Sequence, residues 1–171
     1  DGQVEIVILA HRREGERIPD EFLSSGLRDH VFRHLKQRCL VNVQPVVRLA
    51  RFMEIDLSLD LRLRPNANVL QVREQARRWV EAFLDPYTGG LDGDGWPFSG
   101  TLYAQDFARM VSDIPEVRHV GQVHLYDVAD APPGAVTPGW EEGEGEPELF
   151  PQKHDLFVVR RVRVRAEETG Q

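Results

Sequence analysis

From Glu54 to Arg64 the chain alternates without a break. Ile55, Leu57, Leu59, Leu61 and Leu63 are aliphatic, and Glu54, Asp56, Ser58, Asp60, Arg62 and Arg64 between them are polar. Successive side chains of a β-strand point to opposite faces, so this period of two puts every aliphatic group on one side. Burying each one stabilises by about 1.5–3 kcal/mol. The segment therefore predicts a long amphipathic strand that anchors a core, with its other face solvated or docked to something polar. Asp56 and Asp60 fall on that second face and are expected to be surface charge.

The segments around it supply partners. Val4 to Leu9 is a short, β-branched apolar run, as in a strand buried on both faces. Pro19 and Asp20 precede a stripe of Leu23, Leu27, Val31 and Leu35, which predicts a helix from about Asp20 to Arg38. A strand over Val41–Leu49 contains Pro45, which cannot donate a ladder hydrogen bond, so this strand is at an edge or bulged. After the turn Pro65–Asn68, the residues Val69, Val72, Ala76, Trp79, Val80 and Phe83 mark one helix face. A Gly- and Pro-rich loop spans Asp85–Gly100. Thr101–Ser112 predicts a shorter helix, with Phe107, Met110 and Val111 inward. Val117–Val128 is a strand pair, or one strand interrupted at Gly121. Ala129–Pro151 is rich in Pro, Gly and Glu and is expected to be a long, loosely held excursion. Leu156–Val164 is a last strand.

This order predicts an α+β fold of two adjacent split βαβ-like units, with mixed or antiparallel sheets and helices packed on one side. Residues 1–50 form a first β-α-β unit. Residues 51–171 form a second β-α-α-β unit, with an acidic loop at about 129–151 and a final strand at about 155–165. A doubly wound parallel fold would need more helices and a phosphate-binding glycine turn, and neither is present.

Composition narrows the function. A net charge of −7 opposes general nucleic-acid binding, which rests on neutralising phosphates. The charge is uneven: Asp130–Phe150 has six acidic residues and no basic ones, whereas Arg160–Arg165 is basic. No apolar run approaches the ~20 residues that span a bilayer, so stable membrane insertion is not expected. The first residue is Asp1 rather than Met, as in a piece of something longer. The single cysteine, Cys39, excludes an internal disulfide and is expected to pack near a helix end.

Chemistry-bearing patterns are incomplete. His30 and His34 share a helix face, but Val31 stands where the zinc-protease pattern needs Glu. Asp92-Gly93-Asp94-Gly95 is similar to part of a calcium loop, but Pro97, Phe98 and Ser99 stand where further ligands should fall. His11, His119, His124 and His154 have no nucleophile motif near them, and G-x-S-x-G is absent. The polar face of Glu54–Arg64 has no aromatic residues to stack RNA bases. No catalytic residue, cofactor site or metal site is expected. A metal-binding or hydrolytic domain, and an unrelated free-standing protein-binding module, are the competing readings.

The most distinctive stretch runs from Leu84 through Asp85-Pro86-Tyr87-Thr88-Gly89-Gly90 to Gly95-Trp96-Pro97-Phe98. Pro86 stops the preceding helix, the glycines let the backbone reverse, and Trp96 and Phe98 need a pocket on this chain or on a partner. This element, with the order of strands and helices over about Val4–Val164, resembles the C-terminal region of the baseplate J-like, or baseplate assembly, proteins. These belong to contractile phage tails and extracellular contractile injection systems. The after-helix motif of that family is met by Ile114-Pro115-Glu116-Val117. Ser99 stands where the family usually has Gly, Ala50 where a Pro commonly precedes the aromatic matched by Phe52, and the acidic excursion is longer than usual.

The resemblance implies a structural wedge-type role without catalysis. Its partners would be other baseplate proteins, neighbouring copies, the spike hub and sheath-proximal proteins. The setting would be a phage virion or phage-tail-like particle assembled in the bacterial cytoplasm, with release from the cell in some systems. Pro86, Gly89, Gly90, Gly95, Trp96, Pro97 and Phe98 are the candidate partner-binding or structural loop residues.

Overall fold

The structure is a computed structural model and describes residues 2–10, 21–90, 92–128, 145–146, 148–151 and 155–168, with the side chains of 21–24 and 168 left aside. The chain divides into two compact units, Asp1–Arg51 and Phe52–Gln171. Asp20, expected as a helix cap, lies outside the described residues, as does most of the acidic segment.

In the first unit, strand β1 (Gly2–Ile8), helix α1 (Glu21–Lys36) and strand β2 (Val43–Leu49) follow in order. β1 and β2 are parallel, with Val4 opposite Pro45 and Ile6 opposite Val47. Gly2 N–H donates to the Asn42 carbonyl at 2.9 Å, and Ala50 N–H to the Ile8 carbonyl at 3.0 Å. These two bonds fix the parity: even residues of β2 turn their backbone groups toward β1. Pro45 therefore turns its missing N–H to the outer edge, where it breaks no ladder bond.

β1 is not buried on both faces, contrary to the sequence reading. Val4 is 46% exposed, and Glu5 forms an ion pair with Arg48 on the face opposite Val4 and Ile6. α1 packs on β2 and covers only one side. Among the described residues, the buried apolar core begins at Ile55, in the second unit.

That unit is built on the alternating segment. Strand β3 (Arg51–Leu63) leads to helix α2 (Val69–Phe83), strand β4 (Leu102–Tyr103), helix α3 (Ala104–Ser112) and strands β5 (Val117–Asp127), β6 (Glu148–Leu149) and β7 (Asp155–Glu168). β3 is the centre of a three-stranded sheet of order β5-β3-β7. β5 is antiparallel to it. The pairs Asp56–Arg160 and Arg62–Glu167 advance together along both strands, so β7 runs parallel to β3 and the sheet is mixed. Val117–Val128 is thus mostly one strand, with the register slipping between Leu59 and Leu61 opposite Gly121, which lies against Asp60.

Ile55, Leu57, Leu59, Leu61 and Leu63 are 0–2% exposed. α2 packs on β7 and α3 on β5, and the two helices touch each other. α2 buries Val72, Ala76 and Val80, and α3 buries Phe107 and Val111. Asn68 caps α2, its side-chain oxygen accepting from Gln71 N–H at 3.2 Å.

Three expectations are corrected. Asp56 is not surface charge: it is fully buried, and Ser58 is 7% exposed. The third helix starts at Ala104 rather than Thr101, because Leu102 and Tyr103 are taken up by pairing with Leu149 and Glu148. The acidic excursion is held at its C-terminal end by that same pairing and by two backbone hydrogen bonds between Glu146 and Leu125; residues 129–144 and 147 lie outside the description.

Candidate functional site

The loop after α2 is shaped by its own backbone. Asp85 Oδ1 accepts from Tyr87 N–H at 2.9 Å and from Thr88 N–H at 3.0 Å, capping the turn that Pro86 opens. The Asp85 carbonyl accepts from Gly89 N–H at 2.8 Å, and the Phe83 carbonyl from Gly90 N–H at 2.8 Å. Gly95 N–H then donates to the Gly89 carbonyl at 3.0 Å, closing the loop on itself. A Cβ on Gly89 would lie 2.3 Å from the Phe83 carbonyl oxygen. One on Gly95, at φ +98°, would lie 2.5 Å from the Pro86 carbonyl oxygen. Gly90 also has a left-handed backbone, at φ +80°.

The loop divides its large side chains between inside and outside. Trp96 is 8% exposed and meets Phe83 edge-on at 5.3 Å, and Phe83 meets Phe107 at 5.5 Å. Trp96 thus belongs to the chain's own core, and its Nε1 has no acceptor among the described residues. Pro97 and Phe98 turn outward, with Phe98 41% exposed. Phe98 sits at the corner of a turn closed by Gly100 N–H donating to the Pro97 carbonyl at 3.2 Å. The next corner residue is Ser99, at φ +58°, a left-handed position that suits glycine.

β4 leaves this turn directly and pairs with β6. Leu102 and Leu149 face each other and are buried; Tyr103 faces Glu148 on the opposite side. Phe150 follows β6 directly. Tyr103 is 37% and Phe150 65% exposed. The sequence reading named neither. Its only available signal was the Leu149-Phe150 pair closing an otherwise polar run.

The second face of the β5-β3-β7 sheet holds the charged groups. Arg160 Nε donates to Asp56 Oδ1 at 3.0 Å and Arg160 Nη2 to Asp56 Oδ2. The hydrogen bond to Asp56 outweighs burial and raises the Arg160 guanidinium above its ordinary range. Further along, a cavity of about 410 Å³ is lined by Asp60, Arg62, His119, Gln122, Arg165 and Glu167, among others. Arg62 is paired with Glu167, and among the described residues no Ser, Thr or Cys lines the cavity.

The remaining sequence candidates stand apart. His30 and His34 are exposed on α1, and His34 Nδ1 lies 3.2 Å from the Arg38 guanidinium. Asp92 and Asp94 flank Gly93 at φ +77° in an exposed turn. Among the described residues, no three His, Cys, Asp or Glu side chains are placed together to hold a metal ion, and no helix is long and apolar enough to cross a membrane.

No protein-family model matches the sequence, and no curated protein sequence matches it. Among solved structures, the chain is similar to a chain of the anti-feeding prophage baseplate, a six-fold symmetrised cryo-electron-microscopy structure. The TM-score is 0.56 at 10% sequence identity, over 92% of this chain and 29% of that one. This chain therefore spans less than a third of that neighbour, and the likeness at this identity is one of fold.

Proposed function

We propose that this chain is a structural part of the baseplate of a contractile tail or injection machine, of the wedge type found in baseplate J-like proteins. The observation that carries the reading is the likeness of fold to a baseplate chain over 92% of the sequence. The Gly-Gly to Trp-Pro-Phe loop supports it through its resemblance in sequence to the baseplate J-like motif, and its glycines occupy positions where a side chain would collide with backbone. The physical role of the loop is to seat Trp96 on Phe83 and turn Phe98 outward, so one short element serves both stability and contact. The partners are neighbouring wedge copies, the spike hub and sheath-proximal subunits, and the work is done by protein surfaces rather than by a reaction. The particle is a virion or a phage-tail-like assembly built in the bacterial cytoplasm.

The test is to express the gene cluster around this chain with and without it, and to image the particles by electron microscopy. Loss of complete baseplates without the chain is the expected result. Normal, contracting particles in its absence would remove the proposal.

A further inference from the structure

Resting on the baseplate reading, we propose that the outer face of the β4–β6 ribbon, with the Phe98 corner at its base, docks a basic protein surface on a neighbouring subunit. Among the described residues of the second unit, the exposed large hydrophobics are Leu70, Phe98, Tyr103 and Phe150. Three of the four are aromatic: Phe98 in the turn before β4, Tyr103 on β4 and Phe150 directly after β6. Leu70 stands alone on α2, as single exposed aliphatics commonly do. Exposed aromatic side chains lose little conformational entropy on docking and are enriched at the centres of protein interfaces.

Charge identifies the occupant. Among the described residues, 79–90, 92–108, 145–146 and 148–151, which include both strands of the ribbon, contain no Lys or Arg; Arg109 follows in the last turn of α3. Glu148 faces Tyr103 across the ribbon, and Asp106 lies in the first turn of α3, which Tyr103 precedes. A patch that is aromatic and acidic at once repels nucleic acid and anionic lipid. It attracts Arg and Lys twice over, through the carboxylates and through the negative faces of the rings. An acidic partner surface would be excluded by like charge.

The experiment uses the full-length protein in assembled particles, with a photo-reactive benzoylphenylalanine at position 98 or 150 and at position 70 as a control. Adducts from 98 and 150 should fall on Lys- and Arg-rich peptides of another subunit, a second copy included, and position 70 should give none. If the protein is present in the particles but 98 and 150 couple only within their own chain, or to acidic peptides, the face is wrong and the baseplate reading stands. If the protein is absent from the particles, the baseplate reading fails and takes this one with it. Separately, Tyr103→Ser with Phe150→Ser should lower incorporation by at least about tenfold, the scale of one lost hot-spot residue. Its melting temperature should match that of the parent. Undiminished incorporation with the same melting temperature overturns the proposal.

Discussion

Replacing Arg160 with Met should destabilise the second unit severely. Arg160→Met keeps most of the side-chain volume but strips Asp56, fully buried on the sheet, of a two-pronged partner. Removing one member of a buried ion pair costs about 3–5 kcal/mol, mostly because the other charge stays buried. The Arg160 side chain is 16% exposed, so some water reaches the site and the lower end, about 3 kcal/mol, is expected. For a unit of this size that corresponds to a fall in melting temperature of roughly 10–15 °C. Urea unfolding followed by tryptophan fluorescence is a suitable assay, because all three tryptophans, at 79, 96 and 140, lie in the second unit. The denaturant slope should be unchanged. The double variant Asp56→Val/Arg160→Met removes both charges and should recover most of the loss. A loss below about 1 kcal/mol for Arg160→Met, the scale of an exposed pair, would refute the reasoning. So would a double variant less stable than the single one.

Trp96→Ala should cost about 3–5 kcal/mol, through the cavity left against Phe83. Trp96→Phe should cost much less, because it also removes a buried N–H that has no acceptor among the described residues; chemical denaturation separates the two. Ser99→Gly should be neutral to stabilising by up to about 1 kcal/mol, since relief of the left-handed backbone outweighs the added chain entropy. The hydrogen bond from Arg78, and then the charge of Arg77, hold the Glu74 carboxyl below its ordinary value of 4.5. Its stabilising contribution is therefore present above that pH and is lost as pH falls through the lowered value. Glu74→Gln should flatten the acid side of the stability profile slightly and change nothing near neutrality, as melting temperature against pH will show.

Much of the second unit was legible because its signals are local. The alternation of β3, the stripe of α2 and the stop at Pro86 each lie within one segment, and each describes the folded element. What was not legible depends on residues far apart. Asp56 sits in a run of polar residues that look alike in sequence, and only the approach of Arg160 makes it a buried partner. The β4–β6 ribbon is two residues on each side, too short to give a period, and exists because Leu102 and Leu149 meet. The loop was found as a motif, but its division of labour was not. Trp96 goes in and Phe98 goes out because the turn at Pro97–Gly100 comes between the core and β4. The first unit misled for a related reason: an apolar run describes a buried strand only if both faces have cover, and one helix supplies cover for one.

The position of β3 between β5 and β7 also has a consequence for synthesis. Arg160 leaves the ribosome 104 residues after Asp56, about 5–20 s later at ordinary elongation rates. During that interval the aliphatic stripe of β3 lacks one of its two neighbouring strands, and Asp56 lacks its counter-charge. Such non-local pairing is slow and leaves apolar surface and strand edges exposed to aggregation in the meantime. A chain without the strand from Asp155 leaves β3 with β5 alone and Asp56 without Arg160. The central strand thus waits on its most distant neighbour in sequence before its aliphatic stripe and its buried charge are both covered.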